Sequence, residues 1–311
     1  MHIFIWLLVF VVSLTVLVKA SDYFVEGAEA VGLSFGMPHF VIGVVIVGFG
    51  TSLPELVSSI FAVLHGTSEI VIGNVLGSNI TNIFLVLGIA AVGSTEFRFN
   101  HNLLRVDLPI FLGATILVAL TVTDGEFSVG EAVFCLIGLI IYMFSALQAE
   151  QNIAYEEEEN ETTTRVSAWV KLLASPVLIF VGAKYTVDAV VELSEILGIG
   201  AEIIAMSAIA LGTSLPEVFV TLGAVRKGKP EMAIGNIMGS NAFNAFAVLG
   251  IPRLIGPLVI PASVIDYSLP VFFVAALLFV IVTVDEKVNR WEGWLMLMFY
   301  LFFVSRLFQL V

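Results

Sequence analysis

The most constraining feature of this 311-residue sequence is a motif that occurs twice. The six residues G-T-S-L-P-E occupy positions 50–55 and again 212–217. Between residues 48–92 and 210–254, 22 of the 45 aligned positions carry the same amino acid, far above chance even for a biased composition. The chain therefore contains two copies of one structural unit.

A second motif follows each copy at the same spacing. The pattern G-N-x-x-G-S-N occurs at 73–79 and 235–241, and Asn82 aligns with Asn244. The paired glycines predict helix faces that pack closely, because small residues let two backbones approach each other. The last asparagine of each pattern either packs between helices or lines a site, and the sequence does not decide between these roles.

Composition places both copies in a membrane. Hydrophobic residues make up 59% of the chain and charged residues 13%, whereas soluble domains are about 45–50% apolar and about 25% charged. These values exclude soluble enzymes and nucleic-acid-binding proteins. A helix that spans a bilayer needs about 20 mostly apolar residues. We predict ten spans, at residues 3–19, 38–64, 69–93, 105–123, 128–148, 167–187, 199–225, 230–252, 266–283 and 291–309.

Each copy contains five predicted spans, so the second copy must enter the membrane from the opposite side. The predicted fold is an all-α polytopic membrane protein of ten transmembrane helices, arranged as two inverted-topology repeats, an architecture typical of secondary transporters. We place the first repeat at 1–148, an acidic connecting loop at 149–166 and the second repeat at 167–311. The loop is either a solvated segment or one that senses cations.

Basic residues predict the orientation of the chain. Ten of the 13 lysines and arginines fall on one side of the predicted topology, which should be cytosolic. Both termini then face outward, and the loop at 149–166 faces the cytosol. The ten are Lys19, Arg98, Arg105, Arg165, Lys171, Arg226, Lys227, Lys229, Lys287 and Arg290.

The motif glutamates, Glu55 and Glu217, lie deep inside apolar segments. An ionisable residue there costs several kcal/mol unless it is paired, hydrated or bound to a cation. Two nearby carboxylates also repel each other unless a cation neutralises them. Because neither motif contains histidine or cysteine, the hard oxygen ligands favour calcium and sodium over transition metals. We expect these ions as transported substrates and no cofactor.

The motif prolines, Pro54 and Pro216, predict irregular helices. Each lacks an N–H group and clashes with the carbonyl four residues earlier, at Gly50 and Gly212. We expect local unwinding that frees carbonyls to bind cations; the alternative is a simple kink. Hydroxyl and amide side chains supply further neutral oxygens in both copies. They are Thr51, Ser52, Ser78, Asn82, Thr213, Ser214, Ser240 and Asn244.

Together the two motif pairs resemble the α-repeats of the sodium/calcium exchanger family, and the resemblance covers nearly the whole chain. It implies that Glu55 and Glu217 share a calcium site and also contact sodium. It further implies oxygen ligands from Thr51 and Thr213, and sodium sites lined by serines. The remaining implied ligands are Ser52, Ser78, Ser214, Ser240, Asn82, Asn244 and the carbonyls of Gly48 and Ala210.

The resemblance implies a secondary antiporter that exchanges sodium for calcium by alternating access, in a prokaryotic cell membrane. Some family members carry aspartate where this chain has Asn244, and this difference argues against potassium co-transport. The main alternative is a calcium/proton or other cation exchanger of the same fold. An intramembrane protease and a channel are further alternatives. The expected partners are the two ions and the lipid bilayer, with no nucleic acid; the sequence does not determine whether there are protein partners.

Overall fold

The computed structural model describes residues 2–94, 97–99, 107–148, 166–196, 214–262 and 264–307. Helices of the first repeat are α1 (His2–Ser34), α2 (His39–Leu64), α3 (Glu69–Gly93), α4 (Asp107–Val122) and α5 (Val129–Gln148). Helices of the second repeat are α6 (Val166–Ile196), α7 (Leu215–Arg226), α8 (Pro230–Ile255), α9 (Val264–Thr283) and α10 (Arg290–Leu307).

These helices confirm the predicted all-α membrane fold. Among the described residues, seven helices are long and apolar enough to cross a membrane: α1, α2, α3, α5, α6, α8 and α9. Helix α4 is a shorter apolar helix. Helix α7 is described only from Leu215, so the earlier part of the predicted span at 199–225 lies outside the described residues.

Helix α1 is longer than predicted, because it continues to Ser34 rather than ending near residue 19. Its end is set by Gly36, which adopts a left-handed conformation with φ of 71°, and by Pro38 two residues later. The polar stretch before that end stays helical because its acids find cationic partners. Glu26 accepts hydrogen bonds of 2.6 Å from Lys171 of α6 and from Lys227 in the α7–α8 turn.

Two short antiparallel ribbons connect the repeats. Strand β1 (Phe97–Arg98) pairs with β4 (Lys287–Val288), and β2 (Glu126–Phe127) pairs with β3 (Leu258–Val259). β1 and β3 are equivalent elements of the two repeats, as are β2 and β4. Since β1 precedes α4 and β2 follows it, the ribbons lie at opposite ends of that helix. Each strand therefore pairs with the non-equivalent strand of the other repeat, as expected when the second repeat is inverted relative to the first.

The core of the molecule is the contact between α8 and the first half of α2. Residues Ile42–Gly48 of α2 form a π-helical segment that packs against α8, which is almost entirely buried. A Cβ atom added to Gly239 would lie 2.8 Å from Val44 Cα, and one added to Gly48 would lie 2.8 Å from Ser240 N. Gly48 and Gly239 therefore bring the two backbones into direct contact, as the second copy of the paired glycines predicts. For the first copy the predicted close packing is not seen among the described residues, because a Cβ atom added to Gly73 or Gly77 meets no described atom within 4 Å.

Helices α1 and α6, the first helix of each repeat, pack against each other along their length. Glycines again allow close approach: a Cβ atom added to Gly182 of α6 would lie 3.0 Å from Leu17 N of α1. At one end, the α1 carboxylates of Glu26 and Glu29 reach the α7–α8 turn, where Glu29 contacts Lys229. This helix pair is therefore held to the core by ion pairs at the end predicted to be cytosolic.

Candidate cation site between the two repeats

The two motif glutamates lie in the interior of the protein. Glu55 lies in the second half of α2, and Glu217 lies in the first turn of α7; each side chain is 1% exposed. The Ser52 hydroxyl of the first motif donates to Glu217 Oε1 of the second at 3.4 Å. The inverted packing thus brings together two motif copies that are 162 residues apart in sequence.

The predicted unwinding at Pro54 is wrong for the first copy. Residues Phe49–Leu64 form a regular α-helix that includes Pro54, and the irregular part of α2 lies upstream, as the π-helical segment Ile42–Gly48. The irregular stretch of α2 is therefore the segment that packs against α8, and it lies before Pro54 in the chain. In the second copy, Ser214 is the N-cap of α7 and Pro216 lies in its first turn, where its missing N–H leaves no helical bond unmade.

Hydroxyl and carbonyl oxygens of both repeats meet beside the π-helical segment. Thr51 Oγ1 lies 3.3 Å from the Gly48 carbonyl oxygen and 3.2 Å from Ser240 Oγ of α8. Ser240 Oγ also lies 3.3 Å from the Gly48 carbonyl oxygen. Three of the predicted ligands, from two repeats, therefore form one compact oxygen cluster.

Several buried polar groups at the centre have no hydrogen-bond partner within the described part of the chain. They include both carboxylate oxygens of Glu55, Oε2 of Glu217, the Ser214 hydroxyl, and the amide oxygens and nitrogens of Asn82 and Asn244. Buried polar groups in proteins are nearly always satisfied, so a cluster of unpaired ones needs a physical explanation. Carboxylate, hydroxyl and amide oxygens are the ligands that calcium prefers.

The central asparagines also mark matching irregularities in the two repeats. A π-helical segment begins at Asn82 in α3 and runs to Val86, and an equivalent segment runs from Asn244 to Val248 in α8. Such π-helical turns are rare and frequently occur at functional sites. Their appearance at the same motif position in both copies supports a shared role for the two asparagines.

Ten of the twelve predicted site residues lie among the described residues, and all but Gly48 have polar side chains that are buried there. Thr213 and Ala210 lie outside the described residues. Ser78 of α3 donates to Asn74 Oδ1 at 3.4 Å. The structure thus brings the described hydroxyls, amides and carboxylates of the prediction into the interior around α2, α3, α7 and α8.

Sequence reasoning missed a second set of polar residues behind the site. The side chain of Asn236 contacts Thr221, Thr51 and Ser240. In the first repeat Asn74 contacts Ser59 and Ser78, which are the counterparts of Thr221 and Ser240. Both asparagines were visible in the repeated pattern G-N-x-x-G-S-N. The available signal was that each lies four residues before a site serine, and therefore on the same helix face.

Comparison with known proteins identifies the family. The sequence model of the family described as sodium/calcium exchanger protein matches residues 5–148 and 167–309, which together are nearly the whole chain. The chain belongs to the sodium/calcium exchanger family. The resemblance carried by the two motifs is thereby confirmed, as is the polytopic membrane character of the chain.

Relatives and solved structures agree with the family model. The sodium/calcium exchanger MaX1 of Methanosarcina acetivorans is 33% identical, with 97% of this chain and 98% of the relative aligned. The inner membrane protein YrbG of Escherichia coli is 30% identical over 79% of each chain. A structure of the sodium-calcium exchanger NCX_Mj soaked with 10 mM sodium and no calcium superposes with a TM-score of 0.84, at 30% identity, over 97% of this chain and 99% of that one.

Proposed function

We propose that this member of the sodium/calcium exchanger family exchanges sodium for calcium at the site between Glu55 and Glu217. The observation that carries the proposal is the set of buried, unpaired oxygens that both repeats contribute around these carboxylates. The site faces neither an aqueous surface nor a protein cation among the described residues. Transported cations are the partners that would satisfy it.

Charge explains why the two ions would exclude each other. Two ionised carboxylates carry two negative charges, which one calcium ion or two sodium ions neutralise. At an effective dielectric constant of about 20, two unit charges about 4 Å apart interact by roughly 4 kcal/mol. Sodium ions on the same carboxylates therefore repel calcium strongly. Occupancy by one substrate makes binding of the other unfavourable, which is the property an exchanger needs.

The remaining site residues would complete the coordination shells. We assign the two glutamates to calcium and to part of the sodium coordination, and the Gly48 carbonyl and the hydroxyls to sodium. The proposed ligand set is Glu55, Glu217, Thr51, Thr213, Ser52, Ser214, Ser78, Ser240, Asn82, Asn244 and the carbonyls of Gly48 and Ala210.

Alternating access would come from the α1–α6 pair moving past the core. These two helices contribute none of the proposed ligands, and they pack on each other along their length. An inverted repeat has equivalent paths to the site from both sides, so a shift of one pair can close one path and open the other. In this proposal the termini face outward, and the acidic loop at 149–166 faces the cytosol.

Uptake of calcium-45 into proteoliposomes tests the exchange directly. Vesicles that contain the purified chain are loaded with sodium or with potassium at matched osmolarity. In a third condition, potassium-loaded vesicles carry a proton gradient across the membrane. We expect uptake only when the vesicles contain sodium. Uptake driven by the proton gradient alone would assign the chain to the cation/proton exchangers and contradict sodium coupling.

Two substitutions show whether the flux uses the proposed site. Glu217→Gln removes one of the two charges and should abolish sodium-driven calcium uptake. Glu126→Gln makes the same chemical change at an exposed position of strand β2 and should leave uptake unchanged. Wild-type flux in Glu217→Gln would contradict the assignment of the site.

A further inference from the structure

The asparagines Asn74 and Asn236, which are not among the proposed ligands, connect the site helices to each other. Asn236 on α8 is buried, and its Nδ2 group donates to Thr221 Oγ1 of α7 at 2.8 Å. Its Oδ1 atom accepts from Thr51 Oγ1 of α2 at 3.3 Å and from Ser240 Oγ at 3.4 Å. One amide therefore holds α7 with its nitrogen and two site hydroxyls with its oxygen.

Among the described residues, the first repeat contains the counterparts of the Thr221 and Ser240 contacts. Asn74 Nδ2 donates to Ser59 Oγ at 3.1 Å and to the Glu55 carbonyl oxygen at 3.3 Å, while its Oδ1 accepts from Ser78. Ser59 is the counterpart of Thr221, and Ser78 is the counterpart of Ser240. In both copies the amide nitrogen points to the helix that carries the glutamate, and the amide oxygen points to the site hydroxyls. The Glu55 carbonyl oxygen can only accept, so it fixes the direction of the Asn74 amide, and the Asn236 amide has the equivalent direction.

The direction matters for cation binding. A hydroxyl group has one proton and two lone pairs, and it can ligate a cation only through a lone pair. Its proton must then be donated away from the ion. For Thr51 and Ser240, the alternative acceptors are the oxygen of the other hydroxyl, at 3.2 Å, and the Gly48 carbonyl oxygen, at 3.3 Å from each hydroxyl. That carbonyl is itself a proposed ligand, so a proton bound there would compete with the cation.

We infer that Asn236, and its counterpart Asn74, are positioning residues that take up the protons of the site hydroxyls and so keep the hydroxyl and carbonyl lone pairs available to sodium. The inference rests on the proposed function. Thr221 and Ser59 hold the amides in the required orientation. Sodium binding should depend on this arrangement more than calcium binding does. A sodium ion interacts half as strongly with each carboxylate, so neutral oxygens supply a larger share of its binding free energy.

The test compares the two ions in the same proteoliposomes. Half-saturation by internal sodium and by external calcium is measured for wild type, Asn236→Ala and Thr221→Val. Asn289→Ala makes the same change at an exposed residue between β4 and α10 and serves as the matched control. We expect Asn236→Ala to raise half-saturating sodium roughly five- to tenfold, the effect of one lost hydrogen bond, while half-saturating calcium changes less than about twofold.

Thr221→Val keeps the shape of the side chain and removes only the hydroxyl that orients the amide, so it remains informative if Asn236→Ala fails to fold. It should also raise the half-saturating sodium concentration, and the double variant should raise that concentration no further than Asn236→Ala does. An unchanged half-saturating sodium concentration in both variants would overturn the inference. An equal rise in the half-saturating concentrations of sodium and calcium would overturn it too. Loss of sodium dependence in the wild type would instead overturn the proposed function.

Discussion

Asn82 and Asn244 occupy equivalent positions at the centre of the protein, and each amide is buried with no partner among the described residues. An amide supplies an oxygen ligand without adding charge. The core therefore carries the two charges of Glu55 and Glu217 and no third one from these positions. This balance allows one calcium ion to neutralise the carboxylates fully, and it makes Asn244 a place where the charge of the site can be tested alone.

Changing Asn244 to aspartate should separate calcium binding from calcium transport. The substitution adds a third negative charge at nearly constant shape, so calcium should bind more tightly, on the order of tenfold. The calcium-loaded site would keep one uncompensated charge, and exchange should slow. Calorimetric titration gives the affinity, and calcium-45 flux gives the rate. Asn82→Asp adds the same charge in the other repeat and should act in the same direction; unchanged affinity in both variants would contradict this account of the charge balance.

At the scale of elements, the site depends on the contact between α2 and α8. A Cβ atom added to Gly239 would lie 2.8 Å from Val44 Cα, closer than backbone atoms can tolerate. The contact also holds Ser240 against the Gly48 carbonyl, so the same glycines serve packing and ligand placement. Overpacking this contact should harm both stability and transport.

Gly239→Ala tests that contact. Inserting a methyl group into a close-packed interface costs roughly 1–3 kcal/mol, which corresponds to several degrees in Tm. Gly113→Ala is the matched control, because a Cβ atom added at that exposed position of α4 meets no described atom within 4 Å. We expect lower Tm in detergent for Gly239→Ala only. An equal Tm for the two variants would show that the backbones are not in tight contact.

The sequence predicted the elements better than their internal geometry. Repetition of the motifs and apolar runs was enough to predict the helices, the two inverted repeats and the position of Glu55 and Glu217 in the interior. The π-helical segments at Ile42–Gly48 and Asn82–Val86 could not be predicted, because no residue type marks a π turn. The end of α1 was also missed, because Glu26 looks like a loop residue until Lys171 and Lys227 are known to neutralise it.

At the scale of the whole molecule, the two ribbons reflect the inverted symmetry of the repeats. Each ribbon pairs a strand from one repeat with a strand from the other, and they lie at opposite ends of α4. The membrane separates them in the proposed topology, with the β2–β3 ribbon outside and the β1–β4 ribbon in the cytosol. The distribution of lysine and arginine is the basis for this orientation.

Cysteine labelling tests the orientation. The chain has a single cysteine, Cys135, which is buried and can be replaced by alanine to give a background without accessible thiols. In that background, Glu126→Cys should react with a membrane-impermeant maleimide in intact cells. Lys287→Cys should react only after permeabilisation, since its strand lies in the β1–β4 ribbon. The opposite pattern would mean that the termini face the cytosol.

The central claim is that one site between Glu55 and Glu217 binds either calcium or sodium but not both. The most direct measurement is calcium titration of the purified protein by calorimetry at increasing sodium concentrations. We predict that the apparent Kd for calcium rises more steeply than in proportion to sodium, because more than one sodium ion displaces each calcium ion, and that Glu55→Gln loses calcium binding. A calcium Kd that is independent of sodium would contradict the account.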